Sequence, residues 1–511
     1  EPNLARYFVV LPIDLPAGDT SRSKSAFTRW TEQVKEWQRL AESKGLAVEF
    51  DFMGAHEMTM ALTEPQNSGR VKYWFDTNVL TLSEQQQHID DVTAKLGRRY
   101  SQKLHVNVDI EAANIIDSVG RTPVYAEQWK RILAALRAAR QWTWRAPEGN
   151  VSIYQNALAE CNSALSIVDS ALQRVIASVA TFEELASAES EIVDGIQALQ
   201  VIDDLMRTSS RTRDGLYVGD AAALYVNVRD SLSALRLASA LADSISTRAA
   251  RSGEVLITGR AGVGKTHLLC DAARQRIAAG RPTMMLLGQE FDRRSLLNQI
   301  PELGEMPGTT TDELLAVLDA AGEASGNKAL LIIDALNESE CLDSWPKDIR
   351  ALRSKITRFP HLGLIVSCRT EFVDVVIDDN DIPSCEHFGF EEDTETAVRR
   401  FAGEYGLEIP TFPVLNPEFG NPLFLRLTCE ALITLGAPRF VFGTAGLTTV
   451  CNAFIEAVNE RLARSTRCDY DSKRNLVQIA IQKFADLGAS TFSRDVVDCE
   501  TRELLPYRTW S

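Results

Sequence analysis

VLITGRAGVGKTH, residues 255–267, runs an apolar strand into a glycine-rich loop and on into the first turn of a helix. Gly259 to Thr266 satisfy GxxxxGKT, and a strand before and a helix after are the context in which that spacing has chemical meaning. The glycines let the backbone curl. The N–H groups from Gly259 through Arg260, Ala261, Gly262, Val263 and Gly264 to Thr266 and His267 are then expected to face a phosphate chain. The helix N-terminus adds its partial positive charge there. Lys265 reaches the β- and γ-phosphates, and Thr266 offers its hydroxyl to Mg²⁺.

One hydroxyl does not fix a magnesium ion, so a carboxylate is required nearby. ALLIIDALNE, residues 329–338, supplies it: five apolar residues form a central strand that carries Asp334 to the carboxyl edge of a sheet. Asp334 is the expected metal-side carboxylate, and Glu338 the group that orients or deprotonates an attacking water. The next strand, LGLIVSC, ends in Arg369, a guanidinium at the same edge that could stabilise a γ-phosphate. Guanine recognition would need an NKxD-type aspartate, and Asn327-Lys328-Ala329-Leu330 lacks it. ATP is therefore expected over GTP.

Strand signals at 254–258, 282–287, 328–334 and 362–368 are separated by helix-length segments, the alternation of a parallel α/β sheet. After residue 391 the signals turn helical, near 392–405, 423–435, 448–463 and 472–487. Upstream, residues 7–13 and 46–53 read as strands, the first of them buried. An amphipathic helix over 25–44 joins them and is capped by Gly45, giving a second α/β layer with a parallel crossover. From 120 to 248 the chain is rich in Ala, Leu, Glu and Arg. Leu158, Cys161, Leu165, Val168, Leu172, Val175 and Val179 form one seam, and Leu185, Ala188, Ile192, Ile196, Leu199, Ile202 and Met206 a second. They predict an antiparallel helical pair, either a spacer or an oligomerisation stalk.

At 511 residues, with 45% hydrophobic and 24% charged residues, the chain reads as a multidomain globular protein. A net charge of −16 argues against a protein that coats nucleic acid by general positive charge. Nine cysteines without a CxxC pair indicate neither a zinc site nor a disulfide framework. No apolar run reaches the ~18 residues of a membrane span. A cytoplasmic location without membrane contact is expected. The start at Glu1 and the stop at Ser511 suggest a piece of a longer protein.

GRAGVGKTH, LLIIDALNE, VSCRTEF and FGNPLFLRLTCEAL resemble the STAND class of signalling NTPases, most closely the prokaryotic antiviral STAND (Avs) proteins, over about 236–500. The resemblance makes Gly420, Asn421 and Pro422 the GxP motif of a helical subdomain, with Pro422 near the adenine. It makes the chain from about 446 the start of a winged-helix domain. Ala335 and Asn337 depart from the glycine and the acidic residue usual at those places, which bears on the hydrolysis rate and not on binding. RYFVVLPIDLPAG, VEFDFMG and GRVKYWFD resemble the end of a restriction-endonuclease-like effector domain, without the (Asp/Glu)xLys triplet of a cutting centre.

The expected divisions are 1–90 (partial effector), 91–235 (helical linker), 236–390 (P-loop NTPase core), 391–445 (helical subdomain) and 446–511 (winged helix). The resemblance implies an ATP-gated switch that assembles into a homo-oligomer and hydrolyses ATP slowly. It also implies a viral protein trigger, read by a sensor absent from this chain, and DNA contact only through the effector. A nucleotide-dependent scaffold without turnover and a DNA repair or motor ATPase are the competing readings.

Overall fold

The computed structural model describes residues 5–436 apart from 21–22, 76–79, 105, 107–109, 141–150, 183, 210–219, 379–381, 410–416 and 435. Beyond 436 it describes only positions 452, 455–456, 459–460, 478–479 and 481–482. The helix expectations over 448–463 and 472–487, and the winged-helix expectation, lie largely outside the described residues.

The chain is mixed α/β and mostly helical. Near its start, β1 (Arg6–Val10) pairs in parallel with β2 (Glu49–Met53), from Arg6 opposite Glu49 to Val10 opposite Met53. Helix Ala26–Ser43 makes the crossover, and Ser25 caps it by accepting from the Thr28 N–H. Trp30 and Trp37 project from that helix onto Phe52 and Phe50 of β2, with ring centroids 5.5 and 5.6 Å apart. The expectation of a buried first strand is corrected: Tyr7, Phe8 and Val10 are about half exposed. The helix packs on β2 through these rings, while the large side chains of β1 stay about half open.

The main sheet has five parallel strands in the order β4-β5-β6-β3-β7. They are β3 (Glu254–Thr258), β4 (Thr283–Leu287), β5 (Ala329–Asp334), β6 (Leu362–Ser367) and β7 (Ser384–Glu386). Every residue of β3 to β6 is buried. This is the reason they read as continuous apolar runs rather than alternating ones. Successive side chains still point to opposite faces. Leu256, Leu331, Ile333, Leu364 and Val366 pack toward helices Leu296–Leu303, Thr311–Ser325 and Trp345–Ile356. Val255, Ile257, Leu330, Ile332 and Ile365 pack toward helices Leu82–Leu96, Ile110–Val119 and Lys265–Ala278.

One whole face of the sheet is thus covered partly by chain that precedes it by more than a hundred residues. Backbone contacts lock helix Leu82–Leu96 in place: the Thr283 N–H donates to Gln85 Oε1 at 2.9 Å, and His88 Nε2 bonds the Met285 carbonyl at 2.8 Å. Just upstream, helix Ser68–Phe75 lies against helix Thr311–Ser325 so closely that a Cβ at Gly69 would sit 2.3 Å from the Ala316 carbonyl oxygen. Arg70 forks onto both carboxylate oxygens of Glu323 at 2.6 and 2.8 Å.

Helices Pro123–Ala139, Val151–Thr181, Glu189–Ser209 and Asp220–Ala242 share a separate core. The two seams meet inside it, with Cys161, Leu165, Val168 and Leu172 of one and Ile192, Leu199, Ile202 and Met206 of the other fully buried. The expected helical pair is therefore half of a four-helix packing unit. Segment Gln155–Thr181 is long and apolar enough to cross a membrane by length and composition, which the search for an unbroken apolar run overlooks; its apolar stripe faces the bundle core. Helices Thr394–Tyr405 and Pro422–Thr434 form a small fourth core around Phe401, Phe419 and Leu425, joined by Leu104 from upstream.

Candidate functional site

All five strands run the same way, so their carboxyl ends open on one edge, where Gly259, Asp334 and Arg369 emerge. Because β6 stands between β3 and β5, the end of β6 fills the space between the glycine-rich loop and Asp334. Gly259 and Gly264 sit at φ +152° and +102°, conformations that side chains rarely adopt. A Cβ at Gly259 would also lie 2.6 Å from the His387 carbonyl oxygen. Helix Lys265–Ala278 starts directly at the loop with no side-chain cap, so its first N–H groups remain available to a ligand.

Lys265 is buried and donates through Nζ to the carbonyls of Gly259 at 2.5 Å and Arg260 at 3.1 Å. Burial pulls its ammonium below the usual lysine range, and the Asp334 carboxylate opposes that shift. Asp334 is 1% exposed. Burial pushes its carboxyl up, opposed by hydrogen bonds from Ser367 and Thr266. The two residues expected to share a metal, Thr266 and Asp334, both line one cavity, and the Thr266 hydroxyl helps hold the Asp334 carboxyl down.

Two residues of this edge escape sequence reasoning. Ser367, the last residue of β6, donates through Oγ to Asp334 Oδ1 at 2.5 Å and accepts from the Ala335 N–H at 2.9 Å. It fixes both the carboxylate and the turn after it. Arg99, far upstream, donates to Glu338 Oε2 at 2.6 Å, while Arg369 Nη2 lies 3.6 Å from Glu338 Oε1. The terminal position of Ser367 in an apolar strand is a signal that could have found it. Arg99 has no local signal.

Ala335 adopts φ +57° and ψ +56°, a left-handed conformation that costs any residue but glycine. Asn337 accepts from the Arg369 N–H at 3.0 Å through Oδ1 and ties the turn after β5 to the end of β6. The Gly420-Asn421-Pro422 segment closes the other side of the loop. Asn421 Nδ2 donates to the Ala261 carbonyl at 3.3 Å, the Leu423 N–H donates to the Gly262 carbonyl at 3.2 Å, and the Gly420 carbonyl accepts from Phe390 N–H at 2.7 Å. His267 bonds the Ser101 carbonyl at 2.9 Å, and both residues lie in the wall of the cavity at this edge.

A cavity of about 850 Å³ joins these groups, within the range of cofactor-sized sites. Ala261 through His267, Asp334, Glu338, Arg369 and Pro422 line it; Gly259 and Arg260 lie behind it, where their carbonyls hold Lys265. Its lining mixes apolar side chains, among them Leu104, Val106, Phe390, Phe401 and Pro422, with the cations Lys265, Arg369 and Arg99. Among the described residues no cluster of three or more His, Cys, Asp or Glu side chains could hold a metal by itself. A magnesium ion here would depend on Thr266, Asp334 and ligand oxygens together, which suits a cation that keeps waters and substrate phosphates in its shell. No protein-family model matches the chain, and no curated protein matches it.

Proposed function

We propose that this chain binds ATP with Mg²⁺ on the 259–267 loop, as the P-loop core of a nucleotide-gated switch with slow hydrolysis. The observation that carries the proposal is one cavity whose lining joins the N-terminus of helix Lys265–Ala278, Lys265, Thr266 and Asp334 to apolar side chains that include Pro422, which packs on Gly264. That mixed lining fits a triphosphate joined to an aromatic base.

Magnesium, held by Thr266 and Asp334, would neutralise charge between the β- and γ-phosphates. Lys265 exchanges its loop carbonyls for phosphate oxygens. Glu338 accepts the proton of a water whose oxygen bonds to the γ-phosphorus, while the bond from phosphorus to the β–γ bridging oxygen breaks and ADP and phosphate leave. Arg369 stabilises the charge on the transferring group. Glu338 is tied to two guanidiniums and Asn337 is neutral, features that favour a slow step.

The gating part of the proposal rests on Asn421 and Leu423, which donate to the loop carbonyls of Ala261 and Gly262. A ligand on the loop competes with or reshapes those contacts, so it can bias helix Pro422–Thr434 between two placements. The resemblance to the antiviral STAND proteins extends this to ATP-dependent self-assembly, a viral protein trigger and a DNA-cleaving effector. Replacing Glu338 with Gln tests the enzymatic part. ATP binding is expected to persist while turnover falls at least tenfold. Unchanged turnover would remove Glu338 from the mechanism, and loss of binding would mean that it holds the fold of the site.

A further inference from the structure

The carboxylate assigned to water activation does not stand free. Arg99 lies 2.6 Å from one of its oxygens, and Arg369 3.6 Å from the other. Arg99 belongs to neither the sheet nor its crossover loops. It ends the short turn Gly97–Arg99 that follows helix Leu82–Leu96. That helix is fixed on the nucleotide core through Gln85 and His88 and through the ion pairs Lys95–Glu290 and Asp90–Arg274, each 2.6 Å. The guanidinium is thus delivered to the cavity by an anchored element.

Two cations meet one carboxylate here, so the Arg99–Glu338–Arg369 cluster carries a surplus positive charge in the lining of the cavity. The other contact of Arg99 is neutral, the Gln289 Oε1 at 3.3 Å. Its side chain is half exposed and lines the same cavity as Lys265, Thr266 and Asp334. A phosphoryl group carries more charge and more acceptor oxygens than a carboxylate, and a guanidinium fork matches its geometry. A γ-phosphate therefore competes with Glu338 for Arg99, whereas a diphosphate brings no third phosphate to compete.

We infer that Arg99 is a γ-phosphate ligand supplied in cis from the chain ahead of the nucleotide core, and that it leaves Glu338 for the γ-phosphate when ATP binds. The inference rests on the ATP reading of the site. In the structure one Glu338 oxygen is occupied by Arg99; the exchange releases that oxygen to accept a proton from water. It also ties the segment after helix Leu82–Leu96 to the presence of a third phosphate.

The test is equilibrium binding of ATP and of ADP, each with Mg²⁺, to the full chain and to Arg99→Ala, Arg99→Lys and Arg99→Gln, with thermal melts of each. Loss of a charge-assisted bond should weaken ATP about tenfold relative to ADP in Arg99→Ala. ADP affinity should stay within about twofold, because Arg99 keeps its place on Glu338 when no γ-phosphate is present. Lys should fall between Arg and Ala, since it retains the charge without the fork. Should Arg99→Ala melt early, Arg99→Gln gives the same ATP-to-ADP ratio with more of the side chain retained. Equal weakening of both nucleotides, or an unchanged ratio, overturns the assignment. A parent chain that binds neither nucleotide overturns the ATP reading itself, an outcome distinct from a parent that binds both while Arg99→Ala discriminates as well as it does.

Discussion

Ser367→Ala removes a single oxygen and is expected to damage both stability and metal-dependent binding. Ser367 is fully buried, and its hydroxyl makes two bonds, one to the Asp334 carboxylate at 2.5 Å and one from the Ala335 N–H at 2.9 Å. The bond to the carboxylate contributes roughly 1.5–3 kcal/mol, and leaving the Ala335 N–H without an acceptor costs about 1–3 kcal/mol. These overlap, since the turn can relax, so a net loss of about 3 kcal/mol is expected. For a sheet core on the order of 150 residues, at about 2–4 °C per kcal/mol, that lowers the melting transition by roughly 6–12 °C. Losing the Ser367 donor also pushes the Asp334 carboxyl further up, because that bond is the largest of the three influences, with Thr266 and Lys265, that oppose its burial. A residue that orients a metal ligand typically affects metal affinity by about 10–100-fold. The assay is a Mg²⁺ titration of ATP binding at fixed ATP, run beside a thermal melt. A variant with the parent's melting temperature and Mg²⁺ midpoint would refute the role given to Ser367 and to Asp334 with it.

Ala335→Gly should stabilise the nucleotide core by up to about 1 kcal/mol, because the left-handed backbone there penalises a Cβ; a lower melting temperature would show that no strain is stored in that turn. Lys328, buried next to Arg121, has its ammonium pulled down to about 7 by burial, from an ordinary value of 10.5. Between those values the unfolded chain binds a proton that the folded chain does not, so folded stability rises with pH across that window. Lys328→Met, which removes the charge, is expected to melt higher than the parent at pH 7 by an amount on the order of a few kcal/mol, with the gap closing toward pH 10. A gap that does not change with pH would contradict the buried charge.

Strands β3 to β6 were legible because each is a continuous apolar run bounded by polar segments. β7 was not, because Ser384, Cys385 and Glu386 form a three-residue edge strand whose pairing with β3 comes from tertiary position. The two helical seams were legible as faces, but the helices completing their bundle are defined by packing rather than by spacing alone. β1 misled: its apolar composition suggests burial, and half of its surface is open in this chain. At the site, the loop glycines, Lys265, Thr266, Asp334, Glu338, Arg369 and Pro422 are distinctive by pattern, and they lie along or just behind one cavity. Arg99 and Ser367 act through contacts made only after folding. Ala335 sits where the backbone asks for a glycine; the residue was visible in the sequence while its strain was not.

The central claim is that the 259–267 loop holds ATP with Mg²⁺. The most direct test is equilibrium binding of ATP and Mg²⁺ to this chain and to Lys265→Ala, followed by sizing of the same samples. The account predicts saturable, Mg²⁺-dependent binding that falls at least tenfold in the variant, and larger particles only for the ATP-loaded parent. Equal binding by both proteins would contradict the assignment of the loop, and with it the switch built on that loop.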